Sequence, residues 1–106
     1  MIVANTDFVP GRKISKFLGL VMGSTVRARH LGKDLGARFK GMVGGEIKAY
    51  KEMLDDARKE AINRMISDAE KLKADAIINV RFMTAQTMAS AAEVMVYGTA
   101  VKLGKE

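Results

Sequence analysis

The feature that most limits how this chain can fold is a long run of helical periodicity after Gly45. Apolar side chains recur there every three or four residues, at Ile47, Tyr50, Leu54, Ala57, Ala61, Met65, Ala69 and Leu72. This spacing predicts one amphipathic helix from about Glu46 to Lys73. A helix with a single apolar stripe covers only one face of a sheet, so the remaining elements must find their cover elsewhere.

Three segments have the residue pattern of strands. "ISKFLGLVM" (Ile14–Met22) begins with alternation and ends apolar on both faces, and "EVMVYGTAVKL" (Glu93–Leu103) is apolar on both faces. "AIINVRF" (Ala76–Phe82) alternates. The alternation predicts one core face formed by Ala76, Ile78, Val80 and Phe82.

Four connecting segments complete the predicted fold. "MIV" at the start is a candidate short strand, and Pro10-Gly11 has the composition of a tight turn, because proline presets one dihedral angle and glycine accepts positive φ. A short glycine-containing helix over 31–43 is predicted by apolar residues at Leu31, Leu35, Phe39 and Met42. "MTAQTMASAA" (residues 83–92) is typical of a loop or an irregular edge.

These elements predict a single α+β domain over residues 1–106. We expect a two-layer subunit in which an antiparallel sheet is packed by the long helix and by the short glycine-rich helix. Two strands are apolar on both faces, yet the helices can bury little more than one face of the sheet. Exposed apolar surface of this kind is typical of assembly. We therefore expect a homo-oligomer in which sheet edges or faces meet and helices lie outside.

Composition excludes several classes of function. The 106 residues contain no cysteine, which excludes disulfides and thiolate metal sites. The first residues lack a secretory pattern, and no uncharged stretch approaches the ~20 residues of a bilayer span, so we expect a cytoplasmic protein without membrane insertion. Neither a Ser-His-Asp order nor His-x-x-x-His spacing nor a pair of catalytic carboxylates is present. No enzyme class is therefore predicted.

The net charge of +6 is unevenly distributed. Residues 1–45 hold eight Lys or Arg and two Asp, whereas positive and negative charges balance in the remainder. On the predicted long helix, Asp55 stands four residues before Lys59 and Glu60 four before Arg64, an order that stabilises an exposed helix face. The basic half favours anionic partners, but such a charge is also an ordinary device for solubility.

The diglycine in "VGGE" precedes the long helix and raises the question of an anion site. Backbone N–H groups at a helix start attract anions, so Gly44 and Gly45 could cradle a phosphate. The segment lacks the further glycine and the Lys-Ser/Thr pair of a phosphate loop. The carboxylate of Glu46 would also occupy the same positive helix end. A chain reversal between two helices is the favoured interpretation.

"VRARHLGKDLGARFK" (Val26–Lys40) is the most basic window, with Arg27 and Arg29 at its start. Nucleic-acid binding would also need aromatic side chains for stacking, and the window holds only one, on the apolar stripe; nucleic acid is therefore not predicted as a partner. His30, the single histidine, stands four residues before Asp34. The favoured role of this pair is a hydrogen bond at a helix start, and His30 is also a weak candidate for a metal ligand.

Eight methionines could supply thioether ligands to a soft ion such as Cu(I). Four of them lie on the predicted helix stripe or in predicted strands and are expected to fill the core: Met22, Met53, Met65 and Met95. Met83 and Met88 fall in the predicted loop. A soft-metal site is therefore not the favoured interpretation.

Four blocks of sequence carry a family resemblance: "RARHLGKD" (Arg27–Asp34), "VGGEIKAY" (Val43–Tyr50), "ADAIINVRF" (Ala74–Phe82) and "AAEVMVYGTAV" (Ala91–Val101). In this order, and over nearly the full length, the chain resembles the YbjQ-like family of uncharacterised bacterial and archaeal proteins, which carries a heavy-metal-binding label. The resemblance implies an α+β subunit of the dodecin-like type, assembled as a pentameric ring with sheets inside and helices outside. It implies no established function.

Charged and polar residues at family-typical positions could line a pocket between subunits or lock a ring together. The ligand or interface candidates are Arg27, Arg29, His30, Asp34, Gly44, Gly45, Glu46, Tyr50, Arg81 and Glu93. The leading hypothesis is a non-enzymatic, cytoplasmic homo-oligomer, a pentamer by resemblance, that binds a small anionic ligand or a metal at subunit interfaces. The alternative is a structural or protein-interaction ring without a ligand. No cofactor is assigned.

Overall fold

The computed structural model describes residues 1–28, 45–88 and 91–105. In this part of the chain one helix packs on a four-stranded sheet, with the elements β1 (Ile2–Val3), β2 (Arg12–Ala28), α1 (Gly45–Lys71), β3 (Ala76–Met88) and β4 (Ala91–Lys105). The predicted α+β class is confirmed. The short helix predicted over residues 31–43 lies outside the described residues. The described part of the chain contains no helical segment with the length and hydrophobicity of a membrane span.

The sheet is mixed, and its strand order is β1-β3-β4-β2. β1 runs parallel to β3, with Ile2 beside Ala76 and Val3 beside Ile77, whereas β2 and β3 both pair antiparallel with β4. The prediction of a wholly antiparallel sheet is therefore wrong at one edge. A parallel neighbour is possible there because the long connection through β2 and α1 returns the chain to the same end of the sheet.

The long strands extend beyond their predicted bounds. β2 continues past Met22 to Ala28, and the predicted loop over residues 83–92 is strand at 83–88 and 91–92. The loop prediction is wrong for those residues because cross-strand pairs such as Ala85–Glu93 and Gln86–Ala92 hold residues of weak strand propensity in a ladder.

A bulge at Asn79 changes which side chains of β3 reach the core. Asn79 has a φ of 54°, a left-handed conformation that asparagine tolerates better than most residues. The register with β4 shifts at this point. As a result Ile77 and Val80 join the core beneath the helix, whereas Ile78 packs on the opposite side of the sheet. The prediction of one shared core face is therefore wrong for the set Ala76, Ile78, Val80 and Phe82.

α1 matches the predicted helix to within two residues at each end. Its stripe packs on β2 and β4, and four of its side chains are fully buried: Ala57, Ala61, Met65 and Ala69. Gly23 of β2 lies beneath this stripe. A Cβ atom at Gly23 would stand 2.1 Å from the carbonyl oxygen of Ala61 and 2.5 Å from the backbone nitrogen of Met65. The close approach of helix to strand therefore requires glycine at this position.

The opposite face of the sheet has a smaller core at one end. The segment that follows β1 places Val9 against Ala76, Ile78 and Val101 of that face. Pro10-Gly11 then reverses the chain, since Gly11 has a φ of 76° and the backbone N–H of residue 12 donates to the Val9 carbonyl over 3.1 Å. The predicted tight turn is confirmed.

The rest of the side of β2, β3 and β4 that faces away from α1 is called the open face. Cross-strand partners such as Leu20 and Thr99 share it. Its large apolar side chains have exposed fractions of 71% (Phe17), 62% (Leu20), 59% (Val26), 49% (Met83), 44% (Met22) and 37% (Tyr97). The subunit measures 54 × 22 × 15 Å, and its radius of gyration of 17.2 Å exceeds the ~13 Å of a compact chain of this length. It is a thin layer with an apolar side that the described residues leave uncovered.

Gly23→Ala should lower the free energy of unfolding by about 1–3 kcal/mol, because the new methyl group must push the helix backbone away from the strand. Chemical denaturation followed by circular dichroism measures the change. Gly104→Ala is the matched control, since its Cβ would meet its nearest neighbour at 3.5 Å, and it should change stability by less than about 0.5 kcal/mol. Equal stability of the two variants would contradict the close helix–strand contact.

Candidate functional site

The ten candidate residues do not form one cluster in the described part of the chain. Four of them lie outside the described residues: Arg29, His30, Asp34 and Gly44. Gly45 and Glu46 are the first two residues of α1. The predicted position of the diglycine at the helix start is thus confirmed for its second glycine.

Arg27 is engaged by the helix. Its guanidinium donates from Nη2 to Oε2 of Glu60. The other carboxylate oxygen of Glu60 accepts from Arg64 over 2.6 Å, and Arg64 also donates to the carbonyl oxygen of Ser24 over 2.6 Å. This group of Arg27, Glu60, Arg64 and the Ser24 carbonyl, called the Glu60 clamp, ties α1 to β2. The predicted Glu60–Arg64 pair is confirmed, and Arg27 has an ion-pair partner within its own subunit.

Arg81 lies on the other side of the sheet from Arg27. Its cross-strand partner is Tyr97 of the open face, and its Nη1 donates to the carbonyl oxygens of Asn5 over 2.9 Å and of Val80 over 3.0 Å. It borders an open groove of about 380 Å³ lined by Val3, Ala4, Asn5, Val80, Arg81 and Phe82. The sheet therefore separates Arg27 from Arg81, and the two cannot hold one ligand within a single chain.

Glu93 and Tyr50 also lie on opposite sides of the sheet. Glu93 is half-buried on the open face, where its cross-strand neighbours are Val26 and Ala85. Tyr50 is half-buried on α1. Of the candidates with described side chains, Arg81 and Glu93 lie on the open face, whereas Arg27 and Tyr50 lie on the side of α1.

Hard-metal and zinc sites find no support among the described residues, which hold no group of three or more His, Cys, Asp or Glu that could bind a metal ion. The methionines are arranged differently from the prediction. Met65 is fully buried beneath α1, as expected, but Met22 is 44% exposed on the open face. Met83 lies in β3 rather than in a loop, directly opposite Met95. The sequence missed this grouping because it depends on strand register.

Asp55 forms a separate ion-pair cluster on the exposed side of α1. Its carboxylate accepts from Lys51 over 3.2 Å and from Arg58 over 3.0 Å, instead of pairing with Lys59 as predicted. The hydrogen bond from Lys51 holds the pKa of Asp55 below its usual value of 3.8, with help from the charges of Lys51 and Arg58. A lowered folded-state pKa favours folding while the carboxyl is ionised. This contribution is present above the unfolded pKa and is lost as the pH falls through the folded pKa.

Asp55→Asn should therefore be less stable than the unaltered protein at neutral pH, and the difference should disappear in strong acid, where both carry a neutral side chain. Thermal unfolding at the two pH values measures the effect. A difference of the same size in strong acid would show that the charge of Asp55 is not its source.

Glu60→Gln should cost about 1 kcal/mol of stability, because it weakens two ion pairs that are only partly exposed to solvent. Asp55→Asn is the matched control at neutral pH, since its pairs stay on the helix surface and do not reach the sheet. Urea denaturation of both variants gives the comparison. If Glu60→Gln costs no more than Asp55→Asn, the Glu60 clamp does not stabilise the helix–sheet contact.

Comparison with known proteins places these features in a family. Residues 1–104 match the YbjQ family model described as "Putative heavy-metal-binding". The UPF0145 protein of Archaeoglobus fulgidus is 59% identical over 103 residues, and the match covers 97% of this chain and 95% of that protein. The UPF0145 protein of Methanosarcina acetivorans is 55% identical over 103 residues, and the match covers 97% of each chain. A crystal structure from Pediococcus pentosaceus, of a DUF74-family protein with unknown function, has the same fold, with a TM-score of 0.69 at 18% identity over 98% of both chains. Since the family model and the relatives match almost the whole sequence, this chain belongs to the YbjQ family.

Proposed function

We propose that this protein acts as a homo-oligomer whose subunits meet across the open face, and that it binds a small anion or a metal ion where they join. The observation that carries this proposal is the exposed apolar surface of the open face. Assembly would remove that surface from water, which is the main driving force for protein association. The proposal concerns a cytoplasmic binding protein rather than an enzyme.

The area of the open face is suited to an interface between copies of this chain. Its six large apolar side chains are between 37% and 71% exposed. A fully exposed side chain of the largest kind has an accessible area of roughly 150–250 Å². Together the six side chains therefore expose on the order of 600 Å² to solvent. A stable interface buries about 800 Å² per partner, whereas contiguous apolar patches on monomers rarely exceed a few hundred. The open face therefore accounts for most of the surface that an interface needs.

The shape of the subunit supports a ring with the sheets inside. α1 covers one side of the layer, so contacts through the open face would leave the helices outside. β2 is a terminal strand of 17 residues among the described elements, which gives the sheet a long edge beside the next subunit. Five subunits is the number that the family resemblance implies, and we adopt it for the assembly.

Two charged candidates border the junction. Arg81 and Glu93 both lie on the open face, where Arg81 is the direct cross-strand partner of Tyr97 and Glu93 lies four residues from Tyr97 along β4. The guanidinium of Arg81 keeps a fixed positive charge beside the groove at Asn5, and a planar guanidinium suits a small anion such as a carboxylate or phosphate. Residues from a neighbouring subunit would complete such a site, since Arg27 lies across the sheet.

A ring without a ligand is the second candidate function. The Glu60 clamp favours this alternative, because the clamp gives Arg27 a structural partner within the subunit. Under this alternative the remaining charged candidates would pair with each other between subunits.

Native mass spectrometry of protein purified from cells tests the proposal. We expect one closed oligomer of five chains together with a co-purifying mass, and elemental analysis would identify any bound metal. A bare oligomer would favour the ring without a ligand. A stably folded single subunit at high dilution would contradict the assembly.

Leu20→Lys combined with Val26→Lys should shift the oligomer toward single subunits, because it would bury two charges in the interface. Leu72→Lys is the control, since Leu72 is 43% exposed at the end of the helix, away from the open face. It should leave the assembly intact. Circular dichroism of all variants shows whether the fold is kept.

A further inference from the structure

The strand register places three methionines together on the open face. Met83 and Met95 are direct cross-strand partners. Met22 pairs with Tyr97, and Ser24 pairs with Met95. Met22 is therefore a diagonal neighbour of Met95 on the same face. Direct partners have Cβ atoms about 4.5–5.5 Å apart, and diagonal neighbours lie about 7–8 Å apart or somewhat less, within reach of long side chains.

These three side chains are not part of the core. The residues that alternate with them, Gly23, Val94 and Val96, lie under α1. Met22 and Met83 are 44% and 49% exposed, and Met95 is half-buried between them. Each methionine has three rotatable side-chain bonds, so the three sulfur atoms can converge above the middle strand without movement of the backbone.

Three neighbouring thioethers have a specific preference among metal ions. Thioether sulfur is a soft, uncharged donor that selects Cu(I), whereas Zn²⁺, Mg²⁺ and Ca²⁺ prefer nitrogen, thiolate or oxygen ligands. A thioether also loses no proton on binding, so acid does not compete with the metal for it.

The surroundings of the three methionines are compatible with a monovalent cation. Glu93 lies two residues from Met95 on the same face and supplies a negative charge. The ring of Tyr97 borders the other end and offers an aromatic surface to a cation. Arg81 is the nearest described positive group on this face, and its Nη1 is directed to the carbonyl oxygens of Asn5 and Val80.

We propose that Met22, Met83 and Met95 form a site for one soft monovalent metal ion, Cu(I) or its analogue Ag(I), on the open face. The metal site extends the proposed function and rests on it in one respect. Assembly through the open face would enclose the metal ion and keep water from it. All three ligands come from one chain. The ion can therefore bind whether or not the chains assemble.

Titration of the intact protein with Ag(I), followed by native mass spectrometry, tests the site. Ag(I) is used because it does not change oxidation state in air. We expect one Ag(I) per chain and no binding of Zn²⁺ at the same concentration. Anaerobic titration with Cu(I) against a coloured chelator gives the affinity, and X-ray absorption of the Cu(I) form should show sulfur as the only ligand type. Absence of silver, equal binding of Zn²⁺, or nitrogen and oxygen ligands around copper would overturn the proposal.

Leucine variants identify the ligands, because leucine keeps the volume of methionine without its sulfur. Met95→Leu, at the centre of the three, should weaken Cu(I) binding by about tenfold or more, and the variant with leucine at all three positions should bind none. Met53→Leu is the matched control, since Met53 lies on α1 away from the open face, and it should bind as the unaltered protein does. Wild-type affinity in the triple variant would overturn the site.

The same spectra separate this inference from the proposed assembly, since each peak reports the number of chains and of silver ions. Silver-bound single subunits would support the metal site and contradict the oligomer. A silver-free oligomer would support assembly and overturn the metal site.

Discussion

The contact between α1 and β2 governs the arrangement of the whole subunit. Gly23 lets the helix lie directly on the strand, and the alanines of the helix stripe keep the distance short. Because α1 uses its apolar stripe on β2 and β4, the stripe cannot also serve the other side of the sheet. The described chain is consequently a thin, elongated layer with one covered side and one open side. The open face and the sites proposed on it follow from this one-sided cover.

Local and non-local features of the fold differ in how well the sequence predicts them. The helix was predictable to within two residues at each end because its periodicity and its ion pairs depend on neighbours three and four residues away. The tight turn at Pro10-Gly11 was predictable for the same reason. Strand ends were not, since residues 83–88 and 91–92 owe their conformation to pairing with a distant part of the ladder. The bulge at Asn79 reversed the faces of the residues that follow it, so that Val80 joined the core beneath the helix, which an alternating pattern cannot reveal.

The candidate site shows the same division. The family-typical residues were recognisable by sequence, but their partners were not: Arg27 meets Glu60, 33 positions away, and Arg81 meets the backbone of Asn5, 76 positions away. The grouping of Met22, Met83 and Met95 likewise appears only once three strands are in register. The relatives at 55–59% identity and the structural neighbour extend the fold across bacteria and archaea, whereas the chemistry of the open face has to be argued from the residues that occupy it.

The strand order also has a consequence for biosynthesis. The platform for α1 consists of the first long strand and the last, with residue 12 paired to residue 105. Contacts between residues so distant in sequence form slowly because a long loop must close first. During translation the surface on which α1 packs is therefore incomplete until β4 has left the ribosome. During that interval the alanine and methionine stripe is open to non-specific association with other nascent chains.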